Sequence, residues 1–151
     1  MKPCAIPRYT IGLIREPKSP YKTPQYYGSS DKVFRYLKPL LEDQDREHLY
    51  GVFLDAKHHV IGMHLIAIGS MTEATVHPRE VFKCAILLNA AALIITHNHP
   101  SGDPTPSAED RQLTTQLAKA GELLGITLLD HVVIGHGRYY SFADQGTLLS
   151  R

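Results

Sequence analysis

Apolar side chains recur at helical spacing in three stretches of the chain. The first stretch follows Ser30, which we predict to be a helix N-cap, and Pro39 predicts a bend or an early end of that helix. The second stretch, HPREVFKCAILLNA, begins with a proline that suits a first helical turn. The third stretch, SAEDRQLTTQLAKAGELLG, has apolar residues at i, i+4, i+7 and i+11, and Gly125 predicts its end. Those apolar residues are Leu113, Leu117, Ala120 and Leu124.

Strand patterns fill most of the chain between these helices. YGVFLD and VIGMHLIAIGSM are rich in β-forming residues and are joined by AKHH, which predicts a hairpin. AALIIT is short and apolar throughout, which is typical of a strand buried on both faces. TLLDHVVIG and RYYSF predict two further strands. This order of elements predicts an α/β fold in which a mixed sheet is flanked by helices in a three-layer arrangement.

The composition divides the chain into an arm and a domain. Residues 1–28 hold five of the ten prolines and four of the eight tyrosines, so we predict an irregular arm over residues 1–29 and one domain over residues 30–151. The net charge of +1 provides no overall field that would attract nucleic acid or an anionic membrane. Two distant cysteines, no signal peptide and no apolar stretch of membrane-spanning length favour a cytoplasmic protein.

Two histidines follow the apolar strand in the stretch THNHPSGDPTPSAED. Side chains at i and i+2 of an extended chain share one face, so His97 and His99 are expected to project together from the carboxyl end of the strand. The loop that follows predicts a chain reversal, and the next helix is expected to begin near Ser107 with Asp110 in its first turn. Two imidazoles and one carboxylate form a ligand set typical of catalytic zinc sites. The spacing from Ser107 to Asp110 also fits a capping box, which needs no metal and is compatible with a zinc site.

The stretch HNHPSGDPTPSAED matches the JAMM signature His-x-His-Pro-x6-Ser-x-x-Asp. With VHPREVFKCAILLNAAALIIT before it, and LLDHVVIG and YYSF after it, the chain resembles the RadC branch of the JAB1/MPN/JAMM superfamily over about residues 30–148. The resemblance implies a fold similar to that of cytidine deaminase and zinc-dependent cleavage of an amide or isopeptide bond in a protein or peptide. It also implies His97, His99 and Asp110 as zinc ligands and Ser107 as a residue that helps to hold the oxyanion.

The resemblance further implies a glutamate base, which in JAMM peptidases lies just before the first strand of the hairpin. Glu47, in DREHLYGVFLD, holds that place. Glu42 and Glu80 are the alternatives, although Glu42 lies on the polar face of the first predicted helix and Glu80 could instead pair with His77. We therefore predict Glu47 as the general base.

The chain departs from the RadC pattern in two ways. Longer RadC proteins carry a helix-hairpin-helix segment before this domain, and the sequence is too short to hold one, which weakens the expectation of a DNA role. Asn98 stands between the histidines where many eukaryotic deubiquitinating members have Ser or Thr, which indicates the bacterial branch. Residues 1–30 hold five lysines or arginines against one glutamate, so the arm is basic. Three alternatives to a zinc hydrolase remain open: a DNA-repair protein that binds DNA through this arm, a metal-bearing scaffold without turnover, and a non-haem iron enzyme with the same three ligands.

Overall fold

The structure is a computed structural model that describes residues 8–16, 26–69 and 76–148. Predictions for most of the arm, and for the end of the second predicted strand beyond residue 69, fall outside these ranges. In the described residues the elements are α1 (Ser30–Leu41), β1 (His48–Leu54), β2 (Val60–Ile68), α2 (Pro78–Leu87), β3 (Ala92–Asn98), α3 (Ala108–Leu124), β4 (Thr127–Ile134) and β5 (Tyr139–Ser141). Among these helices, none combines the length and the apolar character that a membrane span requires.

The five strands form one mixed sheet in the order β2-β1-β3-β4-β5. β1 and β2 form the predicted antiparallel hairpin, and β1 pairs antiparallel with β3 on its other side. β3 and β4 are parallel and are connected through α3, while β5 adds an antiparallel edge strand. The predicted mixed α/β architecture is confirmed, and β3 lies at the centre of the sheet.

The two faces of the sheet bury separate apolar clusters. Leu93 and Ile95 of β3 pack on one face with side chains from α2 and α3. Ile94, between them, packs on the other face with side chains from α1. Since neighbouring residues of a strand point to opposite faces, every residue of β3 is buried, as expected for a strand covered on both sides. Helices therefore cover both faces of the sheet, which gives the three layers that the sequence predicted.

The start of α1 differs from its prediction by one residue. The N-cap is Ser29, whose side chain accepts a hydrogen bond from the Lys32 amide, and Ser30 lies inside the helix. The Ser30 hydroxyl instead bonds to the side chains of Tyr139 and Asp144, which the local pattern could not indicate. Pro39 does not break the helix, which continues to Leu41. Pro39 has no amide to donate to the Arg35 carbonyl, so α1 lacks one helical hydrogen bond at that point.

The C-terminal half of α3 packs differently from the predicted stripe. Leu113 and Leu117 are buried as predicted, but Leu124 is 46% exposed and Gly121 takes its place in the core. A Cβ on Gly121 would lie 2.3 Å from the carbonyl oxygen of Ile126, so a larger residue there would displace the start of β4. Gly125, in the left-handed conformation, ends the helix as predicted.

Residues before α1 differ in how they contact the domain. Residues 8–16 have no regular secondary structure and are exposed. Tyr26 forms an isolated β-bridge with His59, and Tyr27 is only 3% exposed in the α1 side of the core. Tyr26 and Tyr27, which the sequence assigned to the arm, therefore both contact the domain.

Candidate metal centre

The carboxyl end of β3 places two imidazoles beside the start of α3. His97 is fully buried in β3, and the backbone amide of His99 bonds to the Ile134 carbonyl at 2.9 Å, which continues the pairing with β4 by one residue. The predicted common face is confirmed, because the ring nitrogens Nε2 of His97 and His99 lie 3.1 Å apart.

The loop after His99 turns tightly and packs against residues 135 and 136, which follow β4. The Gly102 amide bonds to the His99 carbonyl, and Gly102 has a φ of +82°. A Cβ at this glycine would lie 2.5 Å from the His136 ring, so both the conformation and the close approach favour glycine. This loop brings the N-terminus of α3 back toward the histidine pair.

Ser107 and Asp110 form the capping box that their spacing predicted. The Ser107 hydroxyl accepts a hydrogen bond from the Asp110 amide at 3.0 Å, and the Asp110 carboxylate accepts one from the Ser107 amide at 2.8 Å. These two bonds fix the first turn of α3, so the direction of the Asp110 side chain is set before any ligand binds. Asp110 is only 1% exposed and faces the two histidines.

Three potential ligand groups converge at this point. His97 Nε2 lies 3.1 Å from Asp110 Oδ1, and His99 Nε2 lies 3.3 Å from Asp110 Oδ2. Ligands about 2 Å from a tetrahedral zinc ion are separated by roughly 3.3 Å, so the spacing of these atoms suits a single small cation. His97, His99 and Asp110 are thus a group able to hold one metal ion.

Hydrogen bonds on the far side of each ring leave Nε2 as the ligand atom. His99 Nδ1 lies 2.7 Å from the Asp103 carbonyl oxygen, which can only accept, so Nδ1 carries the proton. The Thr114 hydroxyl donates to the Asp110 carbonyl at 2.7 Å and therefore accepts from His131 Nδ1 at 2.6 Å. His131 Nε2 must then accept from His97 Nδ1 at 2.9 Å. When both rings are neutral, the Nε2 atom of each therefore carries a lone pair toward Asp110, as a metal ligand requires; when a ring is protonated, the same Nε2 donates to Asp110.

The metal-facing atoms are electrostatically incompatible without a positive charge between them. Two imidazole lone pairs and a carboxylate would repel one another at about 3 Å in a buried site. The pKa of His99 is raised above its ordinary value. Burial acts in the opposite direction, but it is outweighed by hydrogen bonds to Asp110 and the Asp103 carbonyl and by the negative charges of Asp110 and Glu47. Burial acts to raise the pKa of Asp110, but hydrogen bonds from both histidines outweigh it and hold that pKa well below its usual range. The chemistry of the donor set thus calls for a cation or for protons.

His131 and Thr114 support the site without belonging to the group that could hold a metal ion. His131 is fully buried, stacks on Phe142 with ring centroids 4.9 Å apart, and has a pKa that burial holds well below its ordinary value. It therefore stays neutral, as the hydrogen-bond chain to His97 requires. The sequence pattern gave no role to Thr114. The signal was present, because Thr114 lies one helical turn after Asp110.

The three candidate glutamates occupy different surroundings. Glu47 is half-buried immediately before β1, and its charge contributes to the raised pKa of His99. The side chain of Glu42 accepts a hydrogen bond from the Gly137 amide and lies 3.4 Å from Lys38. The Glu80 side chain is 44% exposed and pairs with lysine and arginine neighbours on α2.

Comparison with known proteins supports the resemblance. Residues 27–147 match the protein family described as RadC-like JAB domain. The chain is 48% identical over 118 residues to a UPF0758 protein of Methanococcoides burtonii, and the aligned region covers 78% of this chain and 52% of the relative. It is 46% identical over 127 residues to the UPF0758 protein PM1152 of Pasteurella multocida, and the aligned region covers 84% of this chain and 57% of the relative. The chain therefore spans about half the length of the curated relatives it matches.

Proposed function

The chain belongs to the family of RadC-like JAB domains, and on that premise we propose that it is a zinc-dependent hydrolase that cleaves an amide or isopeptide bond. The observation that carries the proposal is the convergence of two Nε2 lone pairs and one carboxylate on a single point. The mixed sheet covered by helices agrees with the fold that the resemblance implied, and the closer similarity to cytidine deaminase remains a prediction.

Zinc is the metal we propose for this site. His97, His99 and Asp110 supply two neutral nitrogens and one anionic oxygen, and catalytic zinc sites keep three protein ligands with one position open to water or substrate. When bound, the ion would lower the pKa of a coordinated water and polarise a substrate carbonyl. Non-haem iron shares this ligand set, so metal analysis of protein purified without added metal separates the two.

Glu47 is the residue we assign to proton transfer. It precedes β1, and the pairing of Leu49 with His97 brings the start of β1 beside the end of β3. Its charge acts on His99, although it does not belong to the group of converging ligand atoms. A carboxylate outside that group can take the proton of the attacking water and pass it to the leaving amine. Asp110 is unsuited to this role, because hydrogen bonds to the histidines and the Ser107 amide hold its pKa well below its usual range and make it a weak proton acceptor.

Ser107 is the residue we assign to the oxyanion. Its Oγ accepts one hydrogen bond, from the Asp110 amide, and among the described residues no side chain or carbonyl takes its hydroxyl proton. A hydroxyl held in place by its acceptor bond and free to donate suits a developing negative charge. The same oxygen therefore serves as both the helix cap and the proposed oxyanion contact.

The test is a screen of zinc-loaded protein against peptide, isopeptide and DNA substrates, with Glu47→Gln as the critical variant. We expect hydrolysis of a peptide or isopeptide and a loss of about a hundredfold or more in Glu47→Gln, with one zinc still bound. Glu80→Gln is the matched control, because Glu80 is exposed and paired on α2. Zinc loss in Glu47→Gln would make Glu47 a ligand, and full activity in that variant would remove it from the mechanism. Cleavage or salt-sensitive binding of DNA alone would favour the DNA role instead.

A further inference from the structure

One buried amide side chain holds the backbone on both sides of Glu47. Asn98, the last residue of β3, is 1% exposed. Its Oδ1 accepts a hydrogen bond from the His48 amide at 2.8 Å, and its Nδ2 donates to the Arg46 carbonyl at 2.9 Å. Nδ2 also lies 3.5 Å from the Gln44 carbonyl. The two peptide groups that flank Glu47 are thus bound by a single side chain fifty residues away.

These bonds extend the sheet beyond the point where main-chain pairing ends. The ladder between β1 and β3 ends at Leu49 and His97, and residues 42–47 before β1 have no regular secondary structure. On the β2 side, the Gly69 amide bonds to the Glu47 carbonyl at 3.0 Å. Asn98 supplies the corresponding attachment on the β3 side, so the backbone of Glu47 is fixed from both neighbouring strands.

We propose that Asn98 is a positioning residue that places the Glu47 carboxylate beside the metal site. This inference rests on the proposed function, in which Glu47 transfers the proton. Asn98 is adjacent in sequence to both histidine ligands, so the rigid end of β3 sets the ligands and the base relative to each other. A displacement of about 1 Å in such a group can cost a hundredfold in rate.

The chemistry of the two bonds favours an amide at this position. The His48 N–H needs an acceptor and the Arg46 carbonyl needs a donor, and the asparagine side chain presents one of each in a plane. Asn98→Asp keeps an acceptor for His48 and removes the donor to Arg46. Asn98→Ala removes both. The two variants therefore remove one and then both of the hydrogen bonds that hold the segment carrying Glu47.

The experiment follows the Glu47 carboxyl carbon by NMR in protein labelled with ¹³C-glutamate, with the resonance assigned through Glu47→Gln. Zinc ion is added to the metal-free full chain, and zinc content and exchange of the His48 amide are measured in parallel. Thr96→Val is the matched control, because Thr96 lies two residues earlier on β3 and its buried hydroxyl bonds to the Val132 carbonyl of β4 at 2.9 Å. That variant loses a comparable bond without touching the Glu47 segment.

We expect zinc to shift the Glu47 resonance in the wild type and in Thr96→Val. In Asn98→Ala one zinc should still bind, the Glu47 shift should fall by at least half, and the His48 amide should exchange about tenfold faster. An undiminished Glu47 shift in Asn98→Ala would overturn the proposal. If Asn98→Ala does not fold, the Asn98→Asp variant tests the proposal instead. A wild-type Glu47 shift in Asn98→Asp would overturn the proposal. A reduced Glu47 shift, with the His48 amide still protected from exchange, would support it. No zinc response in the wild type would instead contradict the base role of Glu47.

Discussion

Replacement of Thr114 by valine should weaken zinc binding although Thr114 supplies no ligand atom. The Thr114 hydroxyl donates to the Asp110 carbonyl and accepts from His131 Nδ1, and it is 2% exposed. Valine keeps the shape and removes both bonds. His131 can then avoid a buried unpaired N–H only by moving its proton to Nε2. That proton would point at His97 Nδ1 and would drive the His97 proton onto Nε2, the proposed ligand atom.

The size of the effect follows from the lost hydrogen bonds of Thr114 and from the altered orientation of the His97 proton. Loss of the two buried hydrogen bonds of the Thr114 hydroxyl costs about 1–3 kcal/mol in total, which sets the expected loss in the free energy of unfolding of the metal-free protein. Loss of a partner that orients a ligating histidine typically weakens metal binding by about tenfold to a hundredfold, which corresponds to roughly 1.4–2.8 kcal/mol. Thr114→Val should therefore lose both stability and zinc affinity.

The assay is competition for zinc between the protein and a chromophoric chelator, together with urea unfolding of the metal-free protein. Thr96→Val is again the control, because it removes a buried hydroxyl bond that does not lead to His97. It should lose about 1 kcal/mol of unfolding free energy and keep its zinc affinity. Wild-type zinc affinity in Thr114→Val, or an equal loss of affinity in both variants, would refute the proton arrangement assigned to His131 and His97.

Three further predictions test separate parts of the structure. Ser107→Ala should lose about 1 kcal/mol of unfolding free energy in urea because the helix cap is removed, and it should keep one zinc with slower hydrolysis. Asp110→Asn should lose stoichiometric zinc but keep the circular dichroism of the helices, because an amide oxygen can still accept from the Ser107 amide. The Tyr27 hydroxyl is buried without a hydrogen-bond partner among the described residues, and burial raises the pKa of Tyr27 to about 12. The unfolded chain releases this proton near pH 10, so wild-type stability should fall as the pH rises from about 10 to about 12, and Tyr27→Phe should abolish that part of the fall without loss at pH 7.

Local patterns were sufficient to predict that His97, His99 and Asp110 lie together. His97 and His99 share a face because a strand repeats every two residues, and Asp110 points toward them because a capping box fixes the first turn of α3. Each of these features depends on residues within four positions of one another. The same local reasoning misplaced the N-cap of α1, because the hydroxyl of Ser30 forms tertiary bonds instead.

The surroundings of the ligands depend on strand order, which local patterns do not encode. β1 pairs with β3 although β2 and α2 separate them in sequence, and this pairing brings residues 44–48 to Asn98. The parallel pairing of β3 with β4 likewise brings His131 to His97 across 34 residues. Periodicity shows that a residue is buried and on which face it lies, but it does not identify the partner that the fold brings to it.

Strand alternation explains how one tripeptide serves two purposes. His97 and His99 extend toward the start of α3, where both contact Asp110, while the intervening Asn98 bonds to the backbone before β1. A shift of β3 by one residue against β1 would exchange these directions and would remove the ligands and the Asn98 bonds together. The long register between β1 and β3 resists such a shift, because six residue pairs from Leu49–His97 to Leu54–Ala92 hold the buried strand in place. The stability of the central sheet is thus the physical basis for holding the proposed ligands and the proposed base at a fixed separation.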